Sequence, residues 1–193
     1  YLAQSSAIFA VPLVLLGPMS FPVIKVGLIT ASLFVFRIVV APIAGRFSDQ
    51  FGVRYFLIGA NCVLALGLVS LSFIYAGYPE SLLWYSVLFC SLGAALFEPV
   101  VTSAIMGSVP IDRLGTASAS VGVGRQFAFA VGTTLSGAVY AFQSIQYGKT
   151  EILLQDGGSA IAALGDVMLV GVIIALISAI LSFKLDNIYE RSY

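Results

Sequence analysis

Three ionisable side chains lie inside long apolar stretches, where each needs a partner or a function. They are Arg37, Glu98 and Arg125. An ionisable group near the centre of a bilayer costs at least about 2.5–3.5 kcal/mol on insertion scales, so it normally faces a cavity or an opposite charge. Each lies about 12–13 Å from the nearest polar boundary of its stretch, at 1.5 Å per helical residue. We therefore expect the three to share one depth in the membrane.

Two kinds of role fit this set of charges. In the first, Glu98 takes up and releases a proton, because burial favours the protonated acid whereas a nearby arginine favours the carboxylate. A conformational change that moves the arginine then switches the site. In the second, Glu98 forms a static ion pair with Arg37 or Arg125, or an arginine extends towards the membrane interface. The residues alone leave both roles open.

The composition explains why these charges stand out. The 193 residues are 60% hydrophobic and 9% charged, with nine basic and nine acidic residues and no histidine. This excludes a soluble domain and a disordered chain, and the absence of a basic cluster argues against nucleic-acid binding. Cys62 and Cys90 are isolated in apolar stretches, so we expect no metal site, no cofactor and no enzymatic activity.

Apolar stretches separated by polar residues or by Gly and Pro predict six transmembrane helices in one all-α bundle. Long stretches that are apolar on every face favour helices over the alternating strands of a membrane barrel. The predicted spans are about 1–17, 25–44, 55–77, 82–106, 116–141 and 165–184. The first is shorter than the hydrocarbon thickness, and the chain starts at Tyr1 in apolar sequence, so we expect a fragment of a longer protein.

The distribution of basic residues predicts the orientation, because Lys and Arg concentrate on the cytoplasmic side of a membrane. Five fall on one side, namely Arg46, Arg54, Arg113, Lys184 and Arg191, and two on the other, Lys25 and Lys149. Both ends of the chain, including a tail at 185–193, are therefore expected in the cytoplasm, and a long loop at about 142–164 is expected outside.

Small residues throughout the fifth span predict a deeply packed helix, with dimerisation as the alternative.

Residues 45–54 are expected to form a tight cytoplasmic turn between the second and third spans. Gly45 lets a helix end pack closely, and Gly52 can adopt a positive φ where the chain reverses. Asp49 can accept N–H groups at a helix N-terminus or pair with a basic side chain. Arg54 can hold the turn at the anionic inner surface of the membrane.

This turn resembles the loop signature of the major facilitator superfamily, Gly-x-Leu-Ala-Asp-Arg-x-Gly-Arg-Lys/Arg. The residues in register are Gly45, Asp49, Gly52 and Arg54, whereas Gln50 and Val53 depart from its basic positions. A second stretch, from Pro99 to Tyr140, is similar to the corresponding region of the fourteen-span drug:proton antiporters. The segments that carry this similarity are 106–110, 113–119 and Arg125-Gln126, followed by Gly132.

The resemblance implies that residues 1–193 are the C-terminal bundle of a transporter whose N-terminal bundle is missing, built as two three-helix inverted repeats at about 1–77 and 82–184. It further implies proton-driven export of small hydrophobic or amphipathic compounds across the plasma membrane by alternating access. The implied partners are the lipid bilayer, the N-terminal bundle, the exported compound and protons. Asp49 and Arg54 then belong to a gating turn, and Arg125 matches a position where the family often carries arginine.

Three aromatic residues, Phe97, Phe127 and Phe129, are candidates for lining the substrate cavity. Aromatic side chains in membrane helices also face lipid or pack between helices, so the pattern leaves those roles open. The alternative functions are a channel and a non-transporting scaffold or receptor built on the same six helices. A channel is disfavoured because the sequence has no segment that resembles a carbonyl selectivity filter.

Overall fold

The computed structural model describes residues 1–17, 19–73, 80–150 and 158–183, and these form six α-helices and no strand. The helices are α1 (Leu2–Leu16), α2 (Val23–Phe51), α3 (Val53–Ser72), α4 (Glu80–Gly107), α5 (Leu114–Thr150) and α6 (Gly158–Phe183). A 3₁₀ turn at Ile111–Arg113 precedes α5. The predicted tail at 185–193 lies outside the described residues.

Four of the helices are long and apolar enough to cross a membrane. Their apolar segments are Val23–Ser48, Val53–Ser72, Ser81–Gly107 and Ile161–Phe183. Helix α1 is also apolar but has only 15 residues. Helix α5 has 37 residues, but its many Gly, Ser and Thr residues, together with Arg125 and Gln126, lower its mean hydropathy. The described part of the chain is thus helical, and four of its six helices have the length and hydropathy of a membrane span.

Two predicted connections are helical instead. Helix α2 continues through Gly45 to Phe51, so the predicted turn at 45–54 is reduced to a break at Gly52. Helix α5 continues to Thr150 and α6 begins at Gly158, so most of the predicted outer loop at 142–164 is helix. The prediction failed because polar residues mark where a helix leaves the hydrocarbon, and a helix satisfies its own backbone hydrogen bonds equally well in water.

Helices α3, α4 and α6 form the most closely packed part of the bundle. Helix α3 packs against both α4 and α6, α2 packs along α4, and α1 packs against α5 and α6. Buried apolar residues from all these helices except α5 form one cluster, which includes Leu68, Val87 and Met168. Because lipid is as apolar as these side chains, van der Waals contact and interhelical hydrogen bonds hold the helices together.

Two glycines allow α3 and α4 to approach closely. A Cβ on Gly67 of α3 would lie 2.6 Å from the backbone nitrogen of Cys90, and a Cβ on Gly93 of α4 would lie 2.5 Å from that of Leu64. Each glycine therefore faces the backbone of the other helix. Such reciprocal contact between small residues is typical of tightly packed membrane helices.

Parts of α2 and α5 are not covered by other described helices. Large apolar side chains of α2, such as Ile24 and Ile38, are 81% and 78% exposed. The first half of α5 is also open, and a Cβ added at Gly115, Gly122 or Gly124 would meet no atom within 4 Å. The prediction that this part of α5 is deeply packed is therefore wrong for the described structure.

Candidate functional site

Glu98 of α4 accepts hydrogen bonds from an arginine on either side. Arg37 Nη1 of α2 donates to Glu98 Oε2 at 3.0 Å, and Arg125 Nη1 of α5 donates to Glu98 Oε1 at 2.6 Å. The structure therefore brings together all three ionisable residues singled out in the sequence. Both ion pairs that the sequence offered as alternatives are present at once, and they connect three helices through one carboxylate.

The cluster of Arg37, Glu98 and Arg125, called here the central cluster, is partly shielded and carries an excess positive charge. The exposed fractions of the three side chains are 18%, 21% and 40%. Two guanidinium groups face one carboxylate, so one positive charge has no acidic partner among the described residues. Arg37 Nε and Nη2 are buried without a hydrogen-bond partner in this part of the chain.

Arg37 is more enclosed than Arg125 and also contacts an aromatic ring. The Arg37 guanidinium lies 5.3 Å from the ring centroid of Phe34, within the range of a cation–π contact.

An open cavity of about 430 Å³ lies beside Arg37 and Glu98 and is also lined by Thr102 and Ser103. Charged and hydroxyl groups therefore face a space large enough for a small molecule.

The backbone of α4 is unusual next to Glu98. Pro99 has no N–H group, so the carbonyl of Ala95 lacks its helical donor. Thr102 Oγ1 donates to the carbonyl of Glu98 at 2.9 Å. Ala95, Pro99 and Thr102 all line the same cavity, so on this side of α4 a carbonyl without its helical donor lies near a charged side chain.

The three aromatic candidates do not share one cavity. The ring of Tyr1 lies between Phe97 of α4 and Phe129 of α5, with centroid distances of 5.7 and 5.8 Å. Tyr1 and Phe97 line a smaller cavity of about 160 Å³. Phe127 is 70% exposed and lines a separate surface cavity along α5. Phe97 and Phe129 thus belong to an aromatic group near the central cluster, and Phe127 does not.

The predicted gating residues lie at the break between α2 and α3. Gly52 adopts φ 85° and ψ 140° there, which confirms the expected positive φ. The Arg54 guanidinium lies 4.2 Å from the ring centroid of Phe183 at the end of α6, so it links the start of α3 to a distant helix end. Gly45 lies inside α2, and the side chain of Asp49 is outside the described part.

No group of three or more Cys, Asp or Glu residues that could hold a metal ion occurs among the residues that the structure describes. The interactions that the structure shows at the site are ion pairs and hydrogen bonds.

Comparison with known proteins assigns the chain to a family. A family profile, described as Major Facilitator Superfamily, matches residues 1–186. The chain belongs to this superfamily. Its helices are accordingly those of an integral membrane transport protein, and the resemblance noted in the turn and in the fifth helix is confirmed at the level of the family.

Several curated transporters are similar to this superfamily member. They include the riboflavin transporter RibZ of Clostridioides difficile, 29% identical over 112 residues, and the uncharacterized MFS-type transporter YcnB of Bacillus subtilis, 30% identical over 149 residues. The multidrug resistance protein Stp of Mycobacterium tuberculosis is 30% identical over 104 residues. These matches cover 58%, 76% and 53% of this chain but only 24%, 30% and 19% of the relatives.

Sequence reasoning missed two contributors to the site. Thr102 is one helical turn after Glu98, a spacing that could have indicated contact with it. Tyr1 carries no comparable signal, because its place between Phe97 and Phe129 depends on how α1 packs against α4 and α5.

Proposed function

We propose that this chain is the C-terminal half of a secondary active transporter that exports small hydrophobic or amphipathic compounds, driven by the proton gradient. Three findings support the proposal: membership of the superfamily, the resemblance to fourteen-span drug:proton antiporters, and relatives named as a riboflavin transporter and a multidrug resistance protein. The chain aligns with less than a third of each relative. An N-terminal bundle therefore completes the proposed transporter.

The observation that carries the proposal is the pairing of Glu98 with two arginines beside an open cavity. Glu98 is the only acidic partner of Arg37 and Arg125 among the described residues. Protonation of Glu98 would remove the charge that holds both guanidinium groups, and deprotonation would restore it. One proton can thus change the contacts among α2, α4 and α5, which is the kind of coupling that proton-driven alternating access requires.

The helix contacts support a division into two three-helix repeats, at about 1–77 and 82–184. If the two repeats are equivalent, α1, α2 and α3 correspond to α4, α5 and α6. The contact between α3 and α4 then corresponds to the contact between α6 and α1, and the contact between α2 and α4 corresponds to that between α5 and α1. All four pairs are in contact. We interpret this agreement as the internal symmetry of inverted repeats.

The uncovered side of α2 and α5 is the proposed surface for the N-terminal bundle. Exposed apolar side chains on α2 and open space at Gly122 and Gly124 of α5 make this side suited to close helix packing. The substrate cavity then lies between the bundles, next to the central cluster. The proposed cytoplasmic gate consists of Gly45, Asp49, Gly52 and Arg54, and both chain ends lie on the cytoplasmic side of the plasma membrane.

The proposal is tested by measuring efflux of ethidium from cells that express the full-length protein. We expect saturable efflux that an uncoupler abolishes. Glu98→Gln should reduce proton-driven efflux to background because the side chain can no longer ionise. Asp112→Asn is the matched control, since Asp112 is 77% exposed and lies in the turn before α5.

Three outcomes would contradict the proposal. Unaltered proton-driven efflux in Glu98→Gln would remove Glu98 from the coupling mechanism. Conductive flux that does not saturate would indicate a channel, and no uncoupler-sensitive flux of any tested compound would favour a scaffold or receptor.

A further inference from the structure

The two ion pairs of Glu98 cross helix interfaces that differ in packing. Arg37 reaches Glu98 from α2, which packs along α4 and accepts a 2.9 Å hydrogen bond at the carbonyl of Leu33 from Ser91 Oγ. Helix α5 packs mainly against α1 and α6 and has sparse contact with α4. The bond from Arg125 to Glu98 is therefore the main polar link between α4 and α5 in the described part of the chain.

The rest of the interface between α4 and α5 is loosely filled. Phe97 of α4 and Phe129 of α5 are joined through the ring of Tyr1, at centroid distances of 5.7 and 5.8 Å. Ala128 of α5 lines the cavity of about 160 Å³ with Phe97 and Ala94 of α4. We call the residues Ala94, Phe97, Glu98, Arg125, Ala128 and Phe129 the α4–α5 interface. It is held by one ion pair and a ring from a third helix.

We propose that protonation of Glu98 releases Arg125 and separates α5 from α4, so that the α4–α5 interface is the part of the bundle that moves during coupling. The inference rests on the proposed function, in which Glu98 carries the proton. Arg125 is 40% exposed, whereas Arg37 is 18% exposed and contacts Phe34. Arg125 is therefore the partner that leaves, and the closely packed α2–α4 pair stays together.

The other groups around Glu98 are consistent with this assignment. The charged or titratable groups that act on Glu98 are Arg37 from α2, Arg125 from α5 and Tyr1 at the start of α1. Helices α3 and α6 contribute no residue to the cavity beside Glu98 in the described part of the chain. Loss of the Glu98 charge thus acts chiefly on its two arginine partners.

The experiment measures how fast a cysteine at the α4–α5 interface reacts with a maleimide in the full-length protein. Ala128→Cys is the reporter, and Cys62→Ser removes the exposed native thiol, whereas Cys90 is only 2% exposed. At one fixed pH, we expect Glu98→Gln and Arg125→Gln each to speed the reaction several-fold, because each breaks the pair between α4 and α5. Arg37→Gln leaves that pair in place and should not change the rate.

A second reporter separates local opening from general loosening. Ser81→Cys lies at the exposed start of α4, outside the α4–α5 interface and the surface proposed for the N-terminal bundle, and should react at the same rate in every variant. Equal acceleration at position 128 in Arg37→Gln, or no acceleration in Glu98→Gln and Arg125→Gln, overturns the inference. Loss of proton-driven transport in Glu98→Gln without a change at position 128 would reject this inference and leave the proposed function standing. Acceleration at position 128 with normal proton-driven transport in Glu98→Gln would reject the coupling role of Glu98 in the proposed function and, with it, the role of this opening in coupling.

Discussion

At the scale of single residues, Glu98 shows how the membrane limits the roles of a charge. Its depth in an apolar stretch was sufficient to predict a partner, because an unpaired carboxylate there is costly. The sequence did not show that Glu98 would bind both arginines, since that depends on how α2 and α5 pack around α4. Composition and spacing therefore identified the charged residues, and the fold determined their pairing.

Gly52 provides a test of backbone conformation at the same scale. Gly52→Ala should lower the free energy of unfolding by about 1–3 kcal/mol, because an L residue is strained at this positive φ. Thermal or denaturant unfolding in detergent micelles measures the change. Gly27→Ala is the control, since Gly27 lies within α2 with open space around it and no positive φ. Equal effects in both variants would show that the break tolerates a side chain.

At the scale of helices, the polar sequence after the second and fifth apolar stretches was predicted as loop but is largely helix. Hydropathy located the hydrocarbon boundaries near Gly45 and Ala141, whereas α2 and α5 continue to Phe51 and Thr150. The small residues of α5 indicated close approach but not its partner. Only the later ones meet another helix, as at Gly132, which faces Ser5 and Leu2 of α1.

The contact between α3 and α4 gives a second stability test. Gly67→Ala should destabilise the bundle by about 1–3 kcal/mol, because overpacking forces backbone or side-chain shifts. The added Cβ would lie 2.6 Å from the backbone nitrogen of Cys90. Gly59→Ala on the same helix has open space, and should be neutral or stabilising by up to about 1 kcal/mol. Destabilisation by both changes would show that the close contact at Gly67 is not the cause, because Ala has the higher helix propensity at either position.

At the scale of the whole molecule, the sequence predicted an all-helical membrane protein and its family. It did not predict that the side formed by α2 and the first half of α5 would remain uncovered. A hydropathy pattern cannot distinguish a residue facing lipid from one facing a second bundle, because both surroundings are apolar.

The proposed contact with a second bundle predicts a difference between two glycines. In the full-length protein, Gly122→Leu should lower both the midpoint of thermal unfolding and the rate of ethidium efflux, because the larger side chain fills a packing surface. Gly59→Leu should change neither, because Gly59 has open space on α3, away from that surface. If Gly122→Leu is equally well tolerated, this side of α5 faces lipid.

The excess positive charge of the central cluster has an electrical consequence. An elementary charge that crosses the full membrane potential exchanges about 2.3 kcal/mol per 100 mV. In alternating access, the side from which water reaches Glu98 switches, so the charge on Arg37 and Arg125 experiences a changing fraction of the field. We therefore expect the transport rate to respond to a potassium diffusion potential imposed on proteoliposomes. Arg125→Gln should weaken that response.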